Sequence, residues 1–273
     1  MLIPWNSLDN PSLQTQRHAW ATVLFAWPAV AVCEWSLWCS CSTPELARQV
    51  CFWHPLLHQT ALARPGAFSL LLLILLFLQW RLLQHDWSWP RGRVIPRMFL
   101  QSVCLGLLPA CVAWLIASSG SEFPVATENG LRLESLSISG GDNLAMFFPA
   151  RALTLMCQCI GAGVFEEVAF RLVLLSLLSG MAVMCGCSRR MGLLLAVLGS
   201  SAVFSLAHDP GMCRAGSLIQ FGEVVWQQMF SASGGWLIYR FVAGCYLASI
   251  ALHWGLGVAV GTHICFNATL ALF

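Results

Sequence analysis

The chain has 273 residues, of which 58% are hydrophobic and 10% are charged. Ordinary soluble domains carry about 25% charged residues, and the apolar residues here stand in long runs rather than alternating with polar ones. The composition therefore excludes a disordered chain and argues against a soluble globule. The formal net charge of +2 is too small to suggest a nucleic-acid partner.

Apolar runs of about 20 residues predict membrane-spanning helices. The tail 1–18 is short and polar, and the rest of the chain, 19–273, leaves no room for a long soluble region. We therefore predict an all-α, polytopic integral membrane bundle that forms a single domain with seven or eight transmembrane helices. The protein would be multi-pass, in the cell membrane if it is prokaryotic, with the lipid bilayer as a partner. The predicted spans cover residues 19–38, 67–84, 98–118, 147–184, 191–208, 236–252 and 255–272.

The apolar run 147–184 is too long for one ordinary span. A straight helix of this length would measure about 57 Å, nearly twice the hydrocarbon core. The segment must extend past the bilayer, tilt strongly or break, and Gly161-Ala162-Gly163 is the candidate break.

The distribution of arginines predicts an orientation in the membrane. The stretch 81–97 carries four arginines, and the short turn 185–190 ends in Arg189 and Arg190. We expect both to face the cytoplasm. The connection 119–146 is acidic and should face outward.

Three charged residues, Glu166, Glu167 and Arg171, lie inside the longest apolar run. Ionisable groups within a membrane are costly and suggest a functional site. Glu167 and Arg171 are four residues apart, so they share a helix face and can pair, while Glu166 points about 100° away from Glu167. We expect one carboxylate to be held ionised by Arg171 and the other to be free to accept a proton, as general base catalysis requires.

Two further motifs lie in later apolar runs. Phe204-Ser-Leu-Ala-His208 closes the run 191–208, and His263-Ile-Cys-Phe-Asn267 lies within the last run. His263 and Asn267 project from one helix face and could donate to a developing oxyanion. Glu166 and His208 each lie about 20 residues from the turn near 187–188, so an antiparallel hairpin would bring them to nearly the same depth.

Taken in order, these motifs resemble those of the CPBP family. This family includes the CAAX prenyl endopeptidases and the bacteriocin-processing or immunity-type membrane proteins. The segment Phe241-Val-Ala-Gly244 resembles a weaker motif that precedes the final histidine in that family. The resemblance covers roughly residues 144–273, which would form the catalytic core.

The resemblance implies a peptidase, specifically a glutamic-type intramembrane endopeptidase. By position, Glu166 and His208 would activate a water molecule, and His263 and Asn267 would stabilise the oxyanion. The substrate would be a membrane-associated or lipidated peptide or protein, of which the prenylated CAAX cysteine is one family example.

The resemblance also implies supporting roles for other motif residues. Glu167 and Arg171 would orient the site and balance its charge, and Phe204 would support it. Leu172 follows Arg171 where many family members have glycine, which alters packing but no catalytic position. The chain has no His-Glu-x-x-His motif and no evident set of three metal ligands. We therefore expect a metal-free mechanism and no cofactor beyond water.

Two other functions are compatible with the same residues. A non-catalytic membrane binding or immunity-type protein could use the polar cluster structurally. A transporter could use it as a proton or ion relay, although many transporters contain an internal repeat and none is visible here.

Overall fold

The computed structural model describes residues 19–40, 66–83, 92–118, 159–208 and 234–270, together with Met156, Glu223 and Trp226. The tail 1–18 and the connection 119–146 lie outside these ranges. Within them the protein forms seven helices and no strand, which confirms the predicted all-α membrane bundle. The helices are α1 (Ala19–Ser40), α2 (Ala67–Leu83), α3 (Val94–Ser118), α4 (Cys159–Met184), α5 (Arg189–Ala207), α6 (Gly234–Trp254) and α7 (Leu256–Leu270).

Four of the described helices are long and apolar enough to cross a membrane, namely α3 to α6. α7 is apolar but shorter. Large apolar side chains such as Leu100, Leu115 and Leu177 point outward from these helices. An outer surface of this kind suits lipid rather than water.

α7 lies at the centre of the bundle and packs against α1, α3, α4 and α6. Its first half, from Gly257 to His263, is buried. Small residues allow the close packing. A methyl group added at Gly106 of α3 would lie 2.8 Å from the Thr262 carbonyl oxygen of α7. α7 therefore keeps Thr262 and His263 buried inside the bundle.

α4 and α5 form the antiparallel hairpin that the sequence predicts. Gly186 makes the turn with a φ of 88°, a conformation that favours glycine. The Ser188 side chain then caps α5 by accepting a hydrogen bond from the Met191 amide. This hairpin brings the carboxylates of α4 level with the end of α5.

α4 is continuous at the position of the candidate break. Gly161 and Gly163 lie within regular α-helix, and Gly163 instead allows close contact with Ile264 of α7. The irregularity lies one turn later, where Val168–Leu174 forms a π-helix. Gly161–Gly163 is therefore not a helix break, and Gly163 serves helix packing instead.

The two tyrosines of the chain join α6 to α3 at a proline. Pro109 has no amide hydrogen, so the carbonyl of Leu105 loses its partner within α3. The Tyr246 hydroxyl donates to this carbonyl at 2.9 Å, and the Tyr239 hydroxyl donates to the Pro109 carbonyl at 2.7 Å. These bonds fix α6 antiparallel to α3.

Candidate active site

The structure brings three of the motifs together at the meeting point of α4, α5 and α7. Glu166 and Glu167 are buried, at 2% and 0% exposure. The residues that meet there are Glu166, Glu167, Arg171, Phe204, His208 and His263.

His263 bridges the two carboxylates. Its Nδ1 lies 2.8 Å from Oε1 of Glu167, and because an ionised carboxylate only accepts, Nδ1–H is the donor. This bond directs Nε2 towards Glu166, whose Oε2 lies 3.6 Å away. α7 thus presents one ring nitrogen to each carboxylate.

His208 approaches Glu166 from the opposite helix. Its Nδ1 lies 2.7 Å from the Phe204 carbonyl oxygen, which can only accept, so Nδ1–H donates here as well. Its Nε2 lies 3.3 Å from Oε2 of Glu166. The His208 side chain is 21% exposed, against 3% for His263 and Glu166. Access to the cluster is therefore greatest beside His208.

Three acceptor atoms converge at this point: Oε2 of Glu166 and Nε2 of His208 and of His263. With neutral imidazoles, the two carboxylates and Arg171 leave one net negative charge in a buried environment, which is unfavourable. Within the described ranges, no three His, Cys, Asp or Glu side chains form a group that could hold a metal ion.

Arg171 connects the site to α6. Its Nε lies 3.3 Å from Oε2 of Glu167, and one Nη donates to the Gly244 carbonyl at 3.2 Å. Gly244 also allows α6 to pack closely against α5, because a methyl group there would lie 3.0 Å from Cβ of Ser201 on α5. Arg171 belongs to the π-helical segment, a feature often found at functional sites.

Phe204 forms an aromatic wall behind the charged groups. The Arg171 guanidinium carbon lies 4.6 Å from its ring centroid, within the range of a cation–π interaction. The ring also lies 4.5 Å from the His208 ring and 5.2 Å from Phe170. An apolar wall of this kind excludes water and strengthens the electrostatic interactions beside it.

Asn267 lies one helical turn beyond His263 on α7 and is half-buried. Within the described residues, no hydrogen bond or ion pair joins its amide to the cluster. The structure thus places Asn267 one helical turn from His263, without a described hydrogen bond or ion pair to the cluster.

Sequence reasoning missed two residues that support His208. The Ser205 hydroxyl donates to the Leu237 carbonyl at 2.7 Å, and Arg240 donates to the main-chain carbonyl of His208 at 3.1 Å. Arg240 could have been found from the sequence, because it is a charged residue inside a predicted span. Ser205 carries no such signal.

One comparison with known proteins identifies a family for the part of the chain that holds the motifs. Residues 148–269 match the family model described as type II CAAX prenyl endopeptidase Rce1-like. No curated protein and no solved structure matches the chain. The matched segment contains all seven motif residues, from Glu166 to Asn267. The part of the chain that forms the site is therefore similar to the Rce1-like type II CAAX prenyl endopeptidases, as its motifs predict.

Proposed function

We propose that this protein is a glutamic-type intramembrane endopeptidase that hydrolyses a peptide bond in a membrane-associated or lipidated peptide. The observation that carries this proposal is the buried Oε2 atom of Glu166, which faces Nε2 of both His208 and His263. A carboxylate between two imidazoles can take up and release protons, as peptide hydrolysis requires.

In the first step, Glu166 and His208 activate a water molecule. The water oxygen attacks the peptide carbonyl carbon as its proton passes to Oε2 of Glu166 or Nε2 of His208. His208 is suited to this step because its Nδ1–H is already bonded to Phe204, which leaves Nε2 free of its own proton in the neutral ring. A new C–O bond forms, and the carbonyl π electrons move to the oxygen.

His263 and Asn267 stabilise the resulting oxyanion. A His263 ring that carries a proton on both nitrogens can donate from Nε2–H to the oxyanion while Nδ1–H stays bonded to Glu167. The Asn267 amide supplies a second donor from the same face of α7. Removing one such donor typically lowers the rate about 100- to 1000-fold.

Collapse of the tetrahedral intermediate breaks the C–N bond. The proton held by Glu166 and His208 passes to the leaving amine nitrogen, which returns the pair to its starting state. Glu167 and Arg171 do not touch the reacting atoms. They hold the His263 ring and balance the charge of the cluster.

The first experiment compares wild-type protein with Glu166→Gln in proteoliposomes. The probe is an internally quenched peptide with an S-farnesyl cysteine fourth from its C-terminus, which follows from the description of the matched family. Loss of a general base typically lowers the rate about 100- to 10,000-fold, and we expect a loss of that size. Glu223→Gln, which changes an exposed glutamate, should leave turnover unchanged.

Two further samples make this experiment decisive. A mixture of lipidated and short membrane peptides, analysed by mass spectrometry, extends the search beyond prenylated substrates. A metal chelator in a parallel tube tests the mechanism, since the proposed chemistry should proceed in its presence. Equal cleavage by wild type and Glu166→Gln would contradict the proposal, and peptide binding without cleavage by either would instead support a membrane binding protein.

A further inference from the structure

The last turn of α5 carries His208 at the end of a helix, where the chain is least constrained. The final carbonyl groups of a helix have no partners within it and need others. The His208 ring satisfies one of them, the Phe204 carbonyl. The ring can therefore keep its place beside Glu166 only while this turn keeps its shape.

One turn of α6 holds this end of α5 through two hydrogen bonds. Nη1 of Arg240 donates to the main-chain carbonyl of His208 at 3.1 Å. Ser205, which is buried, donates from its hydroxyl to the Leu237 carbonyl at 2.7 Å. Leu237 and Arg240 are three residues apart and so belong to one face of α6. The two bonds bracket the turn from Ser205 to His208.

We propose that Arg240 is a positioning residue for His208, with Ser205 as a second anchor. Arg240 binds the main chain of His208, so it acts on the ring through the backbone. General base catalysis needs heavy-atom distances of about 2.6–3.2 Å, and a misplacement of about 1 Å can lower the rate 100-fold. The inference rests on the proposed function for its effect on turnover, but not for its effect on α5.

The kinetic test compares Arg240→Met with Arg240→Lys on the farnesylated probe peptide. We expect Arg240→Met to lower kcat about 10- to 100-fold with little change in KM, because the substrate contacts remain. Lysine should restore part of kcat, since its ammonium can donate to the same carbonyl. Ser205→Ala should lower kcat in the same direction. Arg190→Met, at the exposed start of α5, and Ser249→Ala, on the outer face of α6, should change neither constant.

A second measurement does not depend on catalysis. Hydrogen exchange followed by mass spectrometry should show faster exchange over 200–208 in Arg240→Met than in wild type. Exchange over 189–199 should be unchanged, because that part of α5 is far from Arg240. Should Arg240→Met fail to fold, Arg240→Lys and Ser205→Ala carry both measurements.

The outcomes separate this inference from the proposed function. An unchanged kcat in Arg240→Met, or unchanged exchange over 200–208, would overturn the positioning role. A raised KM with an unchanged kcat would also overturn it, by indicating that Arg240 binds substrate directly. If Glu166→Gln retains full activity while Arg240→Met speeds exchange, the proposed mechanism fails and the structural role of Arg240 stands.

Discussion

Glu167 is a buried carboxylate with two partners, His263 and Arg171. It accepts from Nδ1 of His263 and pairs with Arg171, and its side chain has no solvent exposure. Removing one partner of a buried ion pair leaves an uncompensated charge, whereas removing both partners is tolerated better. Stability and catalysis should therefore respond differently to changes at these two residues.

Arg171→Met should destabilise the protein by about 3–5 kcal/mol, the usual effect of breaking a buried ion pair. The double variant Glu167→Gln/Arg171→Met should recover much of this stability, because the unpaired charge is gone. It should not recover turnover, because His263 loses its carboxylate partner and Phe204 loses the guanidinium. Thermal unfolding in detergent and cleavage of the probe peptide measure the two effects. A double variant as unstable as Arg171→Met would contradict the charge argument.

The sequence predicts the residues of the site better than it predicts the residues that hold them in place. Glu167 and Arg171 can be paired from their spacing, and the positions of Glu166 and His208 about the 187–188 turn predict their meeting. The bonds of Arg240 and Ser205 could not be predicted in this way. They join residues 32 apart in the chain. Their acceptors are main-chain carbonyls, which every residue has, so residue types do not indicate them.

The same holds for Glu34, near the end of α1. Its carboxylate accepts from the amides of Gly66 and Ser69 at 2.6 and 2.9 Å, and from the Ser69 hydroxyl at 2.8 Å. It thus caps the beginning of α2 from another helix. A cap supplied from outside the helix cannot be read from the local sequence.

Among the elements, the contact between α4 and α7 determines how the carboxylates meet His263. Val164 and Val168 of α4 pack with Val260 of α7, and Gly163 lies against Ile264. The predicted helices agree with the observed ones to within a few residues at most ends, because the apolar runs are long. The π-helix at Val168–Leu174 was not predicted, because its sequence, apart from Arg171, is as apolar as that of an ordinary helix.

Two glycines of α4 provide a matched test of this contact. A methyl group at Gly163 would lie 2.6 Å from Cγ1 of Ile264, whereas one at Gly180 would meet nothing within 4 Å. Gly163→Ala should therefore destabilise the protein by about 1–3 kcal/mol through overpacking and lower turnover by moving Glu167 relative to His263. Gly180→Ala should be neutral or stabilising by up to about 1 kcal/mol, because alanine favours helix. Equal effects on thermal unfolding would contradict the close packing.

At the scale of the molecule, the described helices alternate in direction and gather arginines at one end. Three parts of the chain lie at this end: the start of α3, the turn between α4 and α5, and the turn at Gly255 between α6 and α7. Met98 of α3 packs near Gly257 of α7, and Ala196 of α5 packs near Ala248 of α6. Arg93, Arg97, Arg189 and Arg190 are found there. Positive charge is unfavourable at helix N-termini, so helix stabilisation does not explain this placement. Membrane proteins carry an excess of arginine on the cytoplasmic side, and this rule accounts for the placement.

This end of the bundle should therefore face the cytoplasm, which cysteine labelling can test. Cys185 is exposed in the turn between α4 and α5, and Ser118 is exposed at the opposite end, where α3 stops. Two single-cysteine variants are compared: one keeps only Cys185, and the other has only the cysteine introduced by Ser118→Cys. A membrane-impermeant maleimide added to intact cells should label the Ser118→Cys variant and should not label the Cys185 variant. Inverted vesicles should reverse the pattern. Labelling of Cys185 in intact cells would contradict the orientation, and labelling of both would show that the two ends are not on opposite sides of one bilayer.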